Sequence, residues 1–255
     1  MYIRRITTYG NRKEVRKYHT FRFQGRGLKR APREKETSEQ AAKRNERQAI
    51  RKLKMLMINN FELGDWHITL TYPSETRPDG EGARKVLKRF FEKLRRYYHS
   101  KGKELRYIMV TEWESTNLHH HVALNDVAGI GKLFRELWPG GAFFSPLYEN
   151  QNYDGLAEYF VKETKRSFRN PHSPFRQRYT CSRNLKKPEV EKKVIHASEW
   201  RETPKVSPKE ETLGYVIDPD SIVTGFDNAG FPYQEYTMIR YSDKRQLPYR
   251  KRGGM

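Results

Sequence analysis

Leu118-His119-His120-His121-Val122-Ala123-Leu124 is the stretch on which the reading of this chain turns. Successive side chains of an extended strand point to opposite faces. Leu118, His120, Val122 and Leu124 therefore share one face, and His119 and His121 the other. The apolar parity assigns the first set to a core and takes His120 with it, as a spacer. His119 and His121 project together, and two imidazoles two residues apart on one face form a clamp for a divalent cation. Residues 107–114 read as a partner strand, joined through the turn Ser115-Thr116-Asn117 into a hairpin. That partner carries Glu112 and Glu114 on a single face across from the histidines. Two histidines and one carboxylate leave positions open for water and a substrate phosphate, the layout of a catalytic site. Glu112 is the preferred third ligand because it lies deeper in the strand; Glu114, next to the turn, is the alternative.

Working outward, Thr37-Ser38-Glu39-Gln40 has the form of a capping box. It predicts a helix over 37–59 with Ala42, Ala49, Ile50, Leu53, Leu56 and Met57 as its apolar stripe. Residues 66–72 alternate as a strand, with Trp66, Ile68, Leu70 and Tyr72 on one face and His67, Thr69 and Thr71 on the other. Pro73 to Gly82 reads as a loop. The helix expected next, over 83–99, places Val86, Leu87, Phe90, Phe91, Leu94 and Tyr98 at three- and four-residue spacing. A short helix around Ile130 to Leu137, a strand over 142–148 and a helix over 155–165 follow. The order β-α-β-β-α-β-α predicts an α+β fold, a central antiparallel sheet backed by helices. Three regions are expected: a basic N-terminal arm plus helix over 1–60, a catalytic domain over 61–170, and a small C-terminal extension over 171–255. In that extension, which is expected to pack on the catalytic domain, 213–217 and 233–241 read as edge strands.

The chain of 255 residues carries 51 Lys and Arg against 31 Asp and Glu, a formal net charge of +20. Such an excess argues for a polyanionic partner, because neutralising phosphates releases condensed counterions. Residues 1–54 hold 18 of the cations against 5 acids, interleaved with Tyr2, Tyr9, Tyr18, Phe21 and Phe23. Rings that stack on unpaired bases and cations that track phosphates make this segment a DNA-facing one. No apolar run reaches the ~18 residues of a membrane span, and the N-terminal residues have no signal-like apolar run. With a single cysteine, Cys181, read as a small buried residue, the profile is that of a reducing, cytoplasmic compartment. No Gly-x-x-x-x-Gly-Lys-Ser/Thr loop is present, which argues against an attached ATPase.

The third element of interest is Gly155-Leu156-Ala157-Glu158-Tyr159-Phe160-Val161-Lys162-Glu163-Thr164. On a helix Tyr159 and Lys162 stand three apart and project from one face. A phenol becomes a nucleophile near neutral pH only when its proton is drawn off or a cation lowers its pKa. Lys162 and the metal are the candidates for that work.

In order, the strand 68–72, the histidine strand 118–124 and the helix 156–162 resemble the three motifs of the HUH endonuclease superfamily. The likeness is to its rolling-circle replication initiators of phages and plasmids, with filamentous-phage replication-associated proteins nearest in style. It spans residues 66–166. The resemblance implies an HUH/RRM-like palm in which a histidine pair and an acidic residue hold Mg²⁺ or Mn²⁺. It further implies that a helix-borne tyrosine attacks a DNA phosphodiester, leaving a 5′-phosphotyrosine link and a free 3′-OH. Carried over by position, His119 and His121 would be the metal pair with Glu112, Tyr159 the nucleophile, and Lys162 the residue that orients the phosphate. The implied partner is single-stranded or origin DNA, with host replication helicase and polymerase beside it and no membrane. Two features depart from the pattern. The middle of the histidine motif is usually bulky and apolar but here is His120, and no second tyrosine follows Tyr159 at the next turn. A non-catalytic single-strand-binding protein and a transposase of the same superfamily are the competing readings.

Overall fold

The computed structural model describes residues 1–20, 37–113, 118–147, 153–165, 167, 170, 173–227 and 229–241. The chain divides into two compact units, one of residues 35–187 and one combining residues up to 34 with those from 188 onward. The boundaries differ from those expected near 60 and 170, and each difference has a local cause.

The unit of residues 35–187 is built on a five-stranded antiparallel sheet. Its strands are β3 (Trp66–Thr71), β4 (Tyr107–Glu112), β5 (His119–Leu124), β6 (Ala142–Pro146) and β7 (Thr180–Cys181), in the spatial order β6-β3-β5-β4-β7. Its helices are α1 (Ser38–Asn60), α2 (Gly80–Ser100), α3 (Ile130–Leu137) and α4 (Asp154–Glu163). This is the α+β architecture the sequence predicts. α1 starts where the capping box places it. The Thr37 hydroxyl accepts from the Gln40 N–H at 3.2 Å, while the Gln40 side chain accepts from the Thr37 N–H at 3.1 Å.

Helix α2 begins three residues earlier than its apolar spacing suggests. The carboxylate of Asp79 accepts from the Gly82 N–H at 2.7 Å, and this N-cap outweighs the poor helix propensity of Gly80 and Gly82. One face of the sheet packs on α2 and α3 through Ile68, Leu70, Val122, Leu124, Phe90, Leu94 and Phe134, all buried. The polar-parity face carries α4, whose buried Ala157, Phe160 and Val161 lie one to two residues either side of Tyr159. Residues 171–187 belong with this unit because β7 pairs Ile108 with Cys181 and Met109 with Thr180. Cys181 sits exposed on that two-residue edge strand, which corrects the expectation that it is buried.

The second unit is a six-stranded antiparallel sheet, and it replaces the expected N-terminal arm. β1 (Tyr2–Tyr9) and β2 (Arg12–His19) form a hairpin at its centre. β8 (Glu189–Ile195) pairs with β1, and β11 (Pro232–Arg240) with β2. β10 (Val223–Phe226) and β9 (Tyr215–Ile217) both flank β11, so β11 is an interior strand rather than the expected edge. Ile6, Val15, Tyr215, Tyr236 and Met238 form the core, with Val206 and Ile217 packed against it; the short helix α5 (Pro208–Thr212) follows Val206. Tyr9 is buried at 3% exposure and Tyr2 packs on His19 and Trp200, so neither is an open base-stacking ring; Phe21 and Phe23 lie outside the described residues. Among the described residues no helix is long and apolar enough to cross a membrane.

Candidate metal centre

The hairpin β4–β5 sets the register on which the site depends. Glu112 stands opposite His119 and Val110 opposite His121, while on the other side Thr71 faces His119 and Thr69 faces His121. Parity then sorts the three histidines. His120 is fully buried on the helix-packed face, its Nε2 3.0 Å from the Tyr72 hydroxyl and its Nδ1 2.8 Å from the Thr111 hydroxyl. Burial pushes its pKa down to about 3, so it sits neutral in the core.

His119 and His121 point to the opposite face, their rings 5.1 Å apart and edge to face. His119 Nε2 lies 2.8 Å from the Glu112 carboxylate. One ligand atom from each of Glu112, His119 and His121 falls within 4.8 Å of the others, a group that could hold a metal ion. The donor set of two imidazole nitrogens and a carboxylate oxygen is a three-ligand arrangement with open positions, of the kind that holds a divalent cation. Glu114 lies outside the described residues.

His121 is fixed from both sides. Its Nδ1 is 3.2 Å from the Thr69 hydroxyl and 3.3 Å from His67 Nε2, and its Nε2 is 3.0 Å from the Tyr159 hydroxyl. Burial, and then the neighbouring His67 and His119, hold its pKa down at about 3, so the ring is neutral and able to donate a lone pair. Partners on the remote nitrogen that set tautomer and orientation are what a metal-binding imidazole requires. Tyr159 reaches this ring because its neighbour Phe160, fully buried, packs against His67 of β3 and His121 of β5.

Electrostatics around Tyr159 run against the expected activation by Lys162. Burial, together with the carboxylates of Glu163 and Glu112, raises the phenol pKa. Lys162 is turned to solvent, its Nζ 2.6 Å from Glu158. Glu163, one turn after Tyr159, lies beside Glu112 instead, and desolvation plus that like charge pushes the Glu112 carboxyl upward, with His119 opposing. Glu112, His119, His121 and Tyr159 come together, Lys162 stands apart from them, and His67, Thr69 and Glu163 join them without having been singled out. His67 and Thr69 share the polar parity of β3, and Glu163 follows Tyr159 by four residues, so both signals were present in the pattern. Tyr153, the other tyrosine near α4, is fully buried with its hydroxyl donating to the Phe61 carbonyl at 3.3 Å.

No curated protein and no solved structure compared with this chain gives a match. One family model does match, and its segment takes in β3, the β4–β5 hairpin, β6 and α4, the elements that carry every residue of the cluster. Residues 65–172 match the family model of the ORF2-type replication-associated proteins, consistent with a replication protein of the phage or plasmid type.

Proposed function

We propose that the chain is a metal-dependent HUH-type endonuclease that nicks single-stranded DNA and transfers the strand, initiating rolling-circle replication. The observation that carries this reading is the Tyr159 hydroxyl 3.0 Å from His121, itself one of three side chains grouped to hold a cation. Nucleophile and metal ligand thus stand side by side, the phenol oxygen beside the His121 nitrogen that would face the cation. The net charge of +20 supplies the attraction for a phosphate backbone.

The residues divide the work as follows. Glu112, His119 and His121 hold the cation, and Thr69 and His67 keep the His121 ring in one orientation. Bound there, Mg²⁺ or Mn²⁺ would polarise a non-bridging phosphate oxygen and offset the negative charge of Glu112 and Glu163. Tyr159 attacks the scissile phosphorus; the new bond is tyrosine oxygen to phosphorus, and the bond broken is phosphorus to the 3′ oxygen. The phenol proton is released and the departing 3′ oxygen is protonated, leaving a 3′-OH that can prime synthesis. Phosphodiester energy stays in the 5′-phosphotyrosine link, so the strand can be rejoined. Lys162, one turn along α4 and freely exposed, meets the phosphate once it leaves Glu158. Host helicase and polymerase would act on the opened strand.

The test is covalent capture. Single-stranded DNA from the replicon that encodes the chain is incubated with the protein and Mn²⁺, and denaturing gels are read for a protein–DNA adduct. The wild type forms the adduct; Tyr159→Phe does not; His119→Ala/His121→Ala loses its metal dependence. An adduct undiminished in Tyr159→Phe, or none from the wild type, removes the nuclease reading and leaves a single-strand-binding protein.

A further inference from the structure

Phe143 is one of the most exposed large apolar residues among those described, at 63%. It lies on β6, the edge strand next to β3, where its neighbours Ala142 and Phe144 pair with Leu70 and Ile68 and turn toward the core. Phe143 pairs with Thr69 and therefore projects from the other face, the one that carries His119 and His121. Across that face the order is Phe143, Thr69, His121, Val110 from β6 to β4.

The ring is not splayed into solvent at random. A Cβ placed on Gly141 would stand 3.0 Å from Phe143 Cε2 and 2.7 Å from the Thr71 hydroxyl oxygen. The ring therefore leans back over Gly141 toward Thr71, and any side chain at 141 would take the space it occupies. Thr71 is the residue directly opposite His119, and adjacent strands are about 4.8 Å apart. The Phe143 ring thus lies on the same face as the row Thr71, His119, Glu112, two to three strand spacings, about 10–12 Å, from the candidate cation position. Hydroxyls of Thr69, Thr71 and Ser145 border it on the same face, and no acidic side chain of β3 or β6 does.

We infer that Phe143 is a base-stacking platform, which holds one unpaired nucleobase of the single strand whose phosphate is presented to Tyr159 on the same sheet face. This rests on the nuclease reading above for which strand is held, but the stacking itself does not need cleavage. An exposed aromatic face beside a phosphate-handling site in a chain of charge +20 fits the pairing of stacked bases with tracked phosphates. A second copy of the chain added through β6 is the competing occupant. It is disfavoured because β6 is only five residues long and ends on Pro146, which has no N–H to offer.

The experiment measures binding, in EDTA at fixed salt, of fluorescein-labelled (dT)₁₆ and of an abasic 16-mer with the same phosphates. Phe143→Ala should lose about five- to a hundredfold in affinity for (dT)₁₆, the range for one stacked base. Phe143→Trp should keep wild-type affinity, and all three proteins should bind the abasic strand alike. Equal affinity of Phe143→Ala and wild type for (dT)₁₆ would overturn the inference, as would an equal loss on the abasic strand. So would sedimentation showing a wild-type dimer that Phe143→Ala dissolves while DNA affinity stays unchanged. Because adduct formation is read separately, an adduct from the wild type with no Phe143 effect sinks this inference alone. A Phe143 effect on binding without any adduct sinks only the nuclease.

Discussion

Acidification should unlock the unit of residues 35–187 through His120, and the effect can be worked from the geometry. The ring is fully buried, with both nitrogens engaged by the hydroxyls of Tyr72 and Thr111, and its folded pKa is about 3 against an ordinary value of 6.5. In the unfolded chain it takes up a proton as pH falls through its ordinary value; in the fold it does so only near 3. The stability it contributes is therefore complete above about pH 6.5 and is lost progressively as pH falls toward 3, at about 1.4 kcal/mol per pH unit. Between pH 6.5 and 5 that amounts to roughly 2 kcal/mol. Replacing the ring by His120→Leu removes this proton linkage but leaves two buried hydroxyls without a partner, at about 1–3 kcal/mol each where water cannot reach. The variant should be less stable by about 2–6 kcal/mol at pH 7.5, with the gap to wild type narrowing by roughly 2 kcal/mol at pH 5. Tyr72→Phe added to His120→Leu should return part of the loss, since it deletes one orphaned hydroxyl. Hydrogen exchange of peptides spanning β3 and β5, in EDTA and corrected for intrinsic rates, reads the opening free energy. Parallel pH profiles for wild type and His120→Leu would refute the claim that the core holds this ring neutral.

Other expectations follow from single contacts. Gly140→Ala would place a Cβ 2.0 Å from the Thr71 carbonyl oxygen, a backbone collision, so the melting temperature should fall by an amount equivalent to about 1–3 kcal/mol. Thr37→Ala breaks the capping box and should cost about 1 kcal/mol, seen as faster exchange in the first turn of α1 with the histidine strand unaffected. Mn²⁺ should raise the melting temperature of the wild type and not that of His119→Ala/His121→Ala; an equal rise in both would place the cation elsewhere. Tyr159→Phe should keep the Mn²⁺ shift while losing the adduct, because the phenol is not among the grouped ligands.

Much of the unit of residues 35–187 was legible because its signals are local. The parity of seven residues sorted His120 from His119 and His121, and the register of a tight hairpin put Glu112 opposite the pair. The orientation of Lys162 was not legible, since a three-residue spacing on a helix does not say whether an acid on the outer face captures the ammonium first; Glu158 does. The central position of β1 and β2 was hidden for a different reason. Ile3 and Ile6 lie on opposite faces, and the intervening positions are Arg4 and Arg5, so no period-two apolar pattern marks the strand. Its partners β8 and β11 lie more than 180 residues away, a pairing to which no local propensity points.

That pairing sets an order of events during synthesis. The hairpin of β1 and β2 leaves the ribosome first, yet β8 and β11, which cover its two open edges, come only after residues 35–187 have been made. At 5–20 residues per second the edges wait on the order of ten seconds or more, a period in which bare strand edges recruit other chains. The Arg and Lys residues that crowd these two strands, Arg4, Arg5, Arg12, Lys13, Arg16 and Lys17, suit that interval: like charge keeps one nascent hairpin from docking on the next. The basic charge of β1 and β2 then serves the sheet itself, as a guard while it is unfinished.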